Sequence, residues 1–274
     1  MVFLIVVTLY PFLYVAFASV SEPYEIVRHQ GILLKPLGFS LEAYKLVFEN
    51  PMILTGYRNT LFYVTVGTSI NLLMTSLSAY VLSRKNVMFK NAMMMMVVFT
   101  MFFSGGLIPF YLTVRELGLS DSMWAVILPT AMSTYNMIVM RTAFTAIPDS
   151  LEESARIDGA NDFTILFRII LPLSLPVVAV MILFYAVGHW NAWFNAMIFL
   201  RTRDKYPLQI VLREILIASS TDDMTTNVGS LDKEPLGETI KYATIIVATL
   251  PILMVYPFLQ KYFVQGIMIG ALKG

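Results

Sequence analysis

Cysteine is absent from all 274 residues. That one absence removes disulfides, thiol nucleophiles and thiolate metal sites together. Histidine is almost absent as well: His29 and His189 are the only two, far apart in the chain, so no metal site is expected. Charge is scarce. Asp, Glu, Lys and Arg make up 14% of the residues, where a soluble domain carries about 25%. With 57% hydrophobic residues and a mean hydropathy of +0.71, much of the surface is expected to face lipid. The net charge of +1 gives no pull toward nucleic acid. No GxxxxGKS/T phosphate loop occurs, so the chain has no P-loop of its own for ATP. HExxH, GxSxG and paired carboxylates within the apolar runs are missing too, and with them the usual constellations of an intramembrane enzyme. The chain is therefore not expected to be an enzyme. Buried charges and repeated halves, the marks of an ion-coupled secondary transporter, are also lacking.

What the sequence does have is long apolar runs. A membrane helix needs about 20 such residues. Six runs qualify, at about 1–20, 59–82, 91–111, 123–145, 174–200 and 240–262, separated by polar segments at 21–58, 83–90, 112–122, 146–173 and 201–239. The expectation is an all-α integral membrane protein, a single domain over 1–274 with six transmembrane helices. The first run ends in Ala16-Phe17-Ala18, which resembles a signal-peptidase site, but it lacks a basic flank and contains Pro11. It is read as a retained helix whose preceding residues are missing. The short "SRKNVMFK" turn carries Arg84, Lys85 and Lys90 without an acid, which predicts a cytoplasmic position. Segment 146–173 and both termini then lie inside.

One stretch interrupts this apolar background. Seven charged side chains crowd Asp149 to Arg168. Pro148 ends the preceding run, and Ser150 with Glu153 predicts a capping box. Gly159 predicts a helix stop, and a second short helix is expected from Asn161 or Asp162 to about Ile170. Leu171-Pro172 and Pro176 should then turn the chain into the next run. Physics alone leaves two readings open: a solvated loop, or a docking face on which Leu151, Ala155, Ile157 and Ala160 show apolar surface beside acids.

The residues here carry a resemblance. Glu153-Ser154-Ala155, three residues, Gly159, nine residues, Ile169, one residue and Leu171-Pro172 resemble the EAA motif of ABC importer permeases, with Ser154 replacing its middle alanine. The position between the fourth and fifth runs is similar to that in the maltose-type carbohydrate permeases. "FSGGLIPFYL", "ESARIDGA", "RIILPLSLP" and "WNAWFNAMIFL" resemble the subfamily that moves oligosaccharides and polysaccharide fragments. The resemblance implies the type I permease fold with a coupling helix in this loop. Glu153 would face a basic group of a cytoplasmic ATPase, Gly159 would make the bend, and Leu151, Ala155 and Ile157 would pack against the partner. Ser154, Ile169, Leu171 and Pro172 complete the coupling set, with Arg156 and Asp158 at its rim. The implied partners are a second permease in a heterodimer, two ATP-binding subunits that would hold the ATP–Mg, and an extracytoplasmic solute-binding protein. No cofactor is implied for this chain. The implied site is the bacterial cytoplasmic membrane, crossed several times.

Polar groups within the runs are neutral: Asn71, Ser76 and Ser78; Thr130, Ser133, Tyr135 and Asn136; and "GHWNAWFNA" in the fifth. Aromatic faces beside amides suit a sugar, so His189, Trp190, Asn191, Trp193 and Asn136 are candidates for its path. Helix pinning by Asn and Ser and an interfacial tryptophan belt are the open alternatives. Gly105, Gly106 and Pro109 predict a bend that serves gating or close packing, and Met93–Met96 reads as adaptable helix surface. In 201–239, Tyr206–Ser219 is expected as a helix or strand followed by a flexible "SSTDDMTTNVGSLDKE". Here the resemblance implies contact with the binding protein near Arg201, Arg203 and Asp204; a plain connector is the alternative. "SLEAYKLVFEN" predicts a short capped amphipathic helix. A scaffold that only recruits partners fits the same residues, and ATP-dependent uptake separates the two.

Overall fold

The computed structural model describes residues 1–225 and 234–271, and among these no strand forms. Helices α1 (Val2–Ser19), α2 (Pro23–Arg28) and α3 (Glu42–Glu49) lead into the long α4 (Pro51–Ser83). Next come α5 (Lys90–Phe102), α6 (Leu107–Glu116), the short α7 (Trp124–Ile127) and α8 (Thr134–Thr145). The charged stretch forms α9 (Asp149–Ile157) and α10 (Asp162–Ile165), and α10 continues through a π-helical segment at Leu166–Ile170 into α11 (Leu171–Leu173). Helices α12 (Leu175–Trp190), α13 (Phe194–Phe199), α14 (Leu208–Thr225) and α15 (Glu234–Ala271) complete the chain.

Among the described residues, two helical stretches are long and apolar enough, unbroken, to cross a bilayer: Pro51–Ser83 and Gly237–Met254. Two bent pairs also qualify if each counts as one span: α5 with α6 at 114°, and the Asp162–Leu173 helix with α12 at 89°. The third predicted run is thus not one straight helix. Phe103 is extended and ends α5, and Gly106, the N-cap of α6, has φ +85°, a positive value that favours glycine and re-aims the chain. The fourth run is broken as well. A 3-10 turn at Leu128–Thr130 contains Pro129, and α8 restarts where the Ser133 hydroxyl accepts the Asn136 N–H at 3.4 Å. In the fifth, Asn191–Trp193 separate α12 from α13.

The backbone forms two compact units, Met1–Thr60 with Thr202–Val255, and Leu61–Arg201 with the chain from Tyr256 onward. In the first, Ala18, Ile26 and Leu33 are buried against Tyr14, Phe17, Leu37 and Tyr242. Ser21 ties the loop down, donating to the Phe17 carbonyl at 2.6 Å and accepting the Leu37 N–H at 3.0 Å. Helix α3 buries Ala43 and Val47 and leaves Phe48 exposed. The Ser40 hydroxyl accepts the Glu42 N–H at 3.3 Å. The start of α14 is seated on α4. Asn59 donates to the carbonyls of Asp204 (2.7 Å) and Tyr206 (3.0 Å), and Thr60 accepts the Leu208 N–H at 2.8 Å. Gly56 permits this approach, since a Cβ there would stand 3.0 Å from Leu208 Cα. The predicted flexible stretch begins inside α14, which runs on to Thr225; residues 226–233 lie outside the described residues.

The core of the second unit joins Ala79, Tyr80 and Leu82 of α4 to Met137, Met140 and Phe144 of α8 and to Ile165, Leu166, Ile170, Met181 and Tyr185. In lipid, tight packing of this kind supplies the association that water exclusion cannot. A smaller cluster stacks Tyr111 on Phe199 at 5.7 Å, and the turn beside it is closed by Asp121, whose N–H donates to the Phe199 carbonyl.

Candidate functional site: a charged elbow and a neutral cavity

The elbow is built from local rules. Pro148 occupies the N-cap of α9 without a side-chain bond, so the predicted Ser150–Glu153 capping box does not form. Proline's fixed φ starts the helix early. Ser150 therefore lies inside the first turn, where its carbonyl accepts the Ser154 hydroxyl at 2.9 Å. Asp149 and Glu152 in that turn complement the positive end of the helix dipole. Helix α9 ends at Gly159, φ +81°. There the Ala160 N–H reaches the Ala155 carbonyl at 2.9 Å and the Gly159 N–H reaches Arg156 at 3.1 Å, a Schellman closure. Asn161 then caps α10, accepting the Thr164 N–H at 2.8 Å. Leu171-Pro172 does not make the exit turn. Pro172 can return no N–H, and the helix absorbs this by widening to π geometry just before it. The bend comes at Ser174.

The faces of α9 sort its residues. Leu151 (43% exposed), Glu153, Ser154 and Ile157 (87% exposed) point outward. Ala155 does not; it is buried against the unit's own core, where Ile169 and Leu171 also pack. These three therefore shape the elbow from within, because the 3.6-residue period turns them away from the outer face. Pro172 is exposed.

Beneath α9 lies an ion-pair cluster centred on a residue the sequence reading passed over, Glu152. Arg84, just past the end of α4, forms an ion pair with Glu152; their side chains are 11% and 12% exposed. Arg84 also donates to the Phe144 carbonyl at 3.0 Å and lies 5.1 Å over the Tyr80 ring. Arg156 donates to Glu152 at 2.9 Å and pairs with Asp162, while the Tyr80 hydroxyl stands 3.4 Å from both carboxylates. The end of α4 is capped by cations: Arg141 donates to the Leu82 carbonyl and Lys90 to those of Ser83 and Arg84. At the rim Lys85 meets Asp149 at 2.5 Å. This hydrogen bond holds the Asp149 carboxyl below its ordinary range and the Lys85 ammonium above its own. The groove between α4 and the elbow holds about 550 Å³. One signal could have found Glu152: it lies three residues before Ala155, on the inward stripe of an amphipathic helix.

The second cavity, about 610 Å³, has no Asp, Glu, Lys or Arg among its lining residues. His189, Asn191, Trp193 and Asn136 all line it, joined by Ser133, Tyr185 and Asn195. Trp190 does not; it is buried in the unit. His189 is held against α4. Its Nε2 is 2.6 Å from Asn71 Oδ1, Asn71 Nδ2 donates to the Thr130 carbonyl at 2.5 Å, and a Cβ on Gly67 would meet the imidazole at 2.5 Å. The Asn191 amide donates to the Val187 carbonyl at 3.0 Å. Tyr185 hydroxyl sits 2.7 Å from Thr75 Oγ1 and accepts the Ser133 N–H at 3.2 Å. Such a cavity offers hydrogen bonds and ring faces, with no carboxylate for proton transfer.

Arg201, Arg203 and Asp204 are exposed. Arg201 belongs to the second unit, where its N–H donates to Asp121 Oδ1 at 2.9 Å. Arg203 and Asp204 belong to the first; Arg203 reaches Glu214 at 3.4 Å.

Against known proteins, the sequence profile of the binding-protein-dependent transport system inner membrane component matches residues 53–269. The polygalacturonan/rhamnogalacturonan transport system permease protein YtcP of Bacillus subtilis (strain 168) is 46% identical over 266 residues, 96% of this chain and 92% of that protein. Protein LplC of the same organism is 43% identical over 270 residues, 98% and 90% of the two chains. Among solved structures, a chain of a bacterial ABC transporter involved in the import of the acidic polysaccharide alginate superposes with a TM-score of 0.85 at 33% identity, covering 95% of this chain and 92% of that one.

Proposed function

The chain belongs to the family of binding-protein-dependent transport system inner membrane components, and from that premise we propose that it passes oligosaccharides through the neutral cavity and takes its drive at the charged elbow. It is a permease and not an enzyme. The observation that carries the coupling role is the pair of faces on α9. Ile157 and Leu151 are exposed beside Glu153, while the opposite face is pinned to the protein by Glu152 and Ala155. Apolar side chains held rigidly outward and rimmed by charge make a docking surface. Its occupant is a cytoplasmic ATP-binding subunit, present in two copies around this chain and a second permease. The basic turn at Arg84 and Lys85 puts the elbow on the cytoplasmic side. Six crossings, some of them bent, complete a multi-pass chain in the bacterial cytoplasmic membrane. A solute-binding protein docks on the far side, near Arg201, Arg203 and Asp204.

For the substrate, fragments of uronate-bearing polysaccharides are favoured by the name of the YtcP relative and by the alginate named for the similar solved structure. Their carboxylates meet no cation among the residues lining this cavity. This chain accordingly takes hydroxyls and ring faces, and charge is read by its partners.

The test uses the complex purified from native membranes and reconstituted in vesicles. Ile157→Asp is expected to strip the ATP-binding subunits during purification, leaving this chain membrane-inserted. Retention of those subunits at the wild-type ratio refutes the docking role. ATP-driven uptake of oligogalacturonides over malto-oligosaccharides is expected; the reverse order refutes the substrate class.

A further inference from the structure

Helix α9 has little to hold it by packing. Ala155 is its one buried residue, a single methyl group facing the core. A nine-residue helix anchored by one methyl would rock under load. Yet one carboxylate on the same inward face is linked to three other elements at once. Glu152 pairs with Arg84 at the end of α4. The other Arg84 terminal nitrogen is bound to the Phe144 carbonyl at the end of α8. Through Arg156 the carboxylate reaches Asp162 at the start of α10. Both members of the Arg84–Glu152 pair are nearly nine-tenths shielded, where screening by salt is weak. A charge-assisted pair that uses separate guanidinium nitrogens for two elements fixes orientation as well as distance.

We propose that Glu152 is the positioning residue that makes the elbow and the ends of α4 and α8 move as one body, so that motion delivered to α9 becomes helix tilt and is not lost in a local hinge. The proposal rests on the docking role above, but it concerns a different residue and a different step. Glu153 and Ile157 meet the partner, and Glu152 passes on what they receive.

Two experiments test it. In the reconstituted complex, Glu152→Gln and Arg84→Gln are expected to retain the ATP-binding subunits and ATP hydrolysis while oligosaccharide moved per ATP falls about tenfold or more. The charge-swapped pair, Arg84→Glu with Glu152→Arg, recovers a measurable part of that ratio, which a loss of folding would not allow. Unchanged transport per ATP in Glu152→Gln overturns the proposal. Should these variants fail to assemble, the chain itself provides the second readout. It has no cysteine, so Ser78→Cys with Asp158→Cys gives one unique spin-label pair bridging α4 and the elbow. The distance distribution is expected to broaden in Glu152→Gln, and an unchanged width overturns the proposal. If Ile157→Asp keeps the ATP-binding subunits while Glu152→Gln still broadens the distribution, the docking role fails and the positioning role stands. The opposite pattern removes only the positioning role.

Discussion

The two cavities of the second unit are of similar size, about 550 and 610 Å³, and opposite in chemistry. The groove under the elbow is crowded with paired charge. The cavity at the end of α12 is lined by amides, hydroxyls, rings and one imidazole. In the membrane placement proposed above, the difference follows the solvent that each would face. A charge at membrane depth costs about 2.5–3.5 kcal/mol on insertion scales, whereas at the edge the same charge can be paired and still keep water on one side. Fixed ion pairs suit a joint that must transmit force, and neutral groups suit a path along which a solute must not stick. His189 belongs to both categories. It lines the cavity, yet Asn71 and Gly67 lock its ring as a strut.

Breaking that contrast should hurt most where a shielded charge loses its nearest partner. Arg84→Ala leaves the Glu152 carboxylate only the half-exposed Arg156 and should cost about 1.5–3 kcal/mol, seen as a fall in the unfolding midpoint in detergent; Glu152 and Arg84 removed together should cost less than the sum of the two single changes. Next comes the neutral side. Gly67→Ala drives a methyl into the His189 ring and should cost about 1–3 kcal/mol, an effect that His189→Gly in the same chain should largely relieve. Asn191→Leu should leave assembly intact and change the order in which oligosaccharides are transported, since its side chain lines the cavity and carries no helix-to-helix bond beyond its own turn. An unchanged order removes it from the path.

The smallest effect is expected at the rim. Lys85 and Asp149 are open to solvent, and Lys85→Ala should leave the unfolding midpoint within error. Their pH signature has a definite sign. The depressed Asp149 carboxyl stabilises the fold above its ordinary range, and this is lost as pH falls through its lowered value. The raised Lys85 ammonium stabilises below its ordinary range, and this is lost as pH rises through its raised value. Across neutral pH both terms are constant, so the pair should contribute no slope there in a wild-type versus Lys85→Ala comparison.

How far these regions were legible beforehand differs in the same way. The elbow was visible as a cluster of charge in an apolar chain, with Gly159 and Asn161 marking its internal turn through local backbone chemistry. Its capping box was misread because Pro148 already starts the helix. Glu152 was missed because its importance lies in Arg84, 68 positions away. Of the candidates in the fifth run, His189, Asn191 and Trp193 line the cavity, but composition could not separate Trp190, which packs inward, from Trp193, which lines it.

Composition and period by themselves determined that this protein is helical, lipid-facing and without thiol or P-loop chemistry, because hydropathy and backbone rules act within a few turns of chain. They also located the elbow. Only the tertiary structure decided where the apolar runs break, which face of α9 is outward, and that one carboxylate gathers three other helices. Those outcomes depend on partners distant in sequence, and a buried charge declares its role only when the charge opposite it is in place.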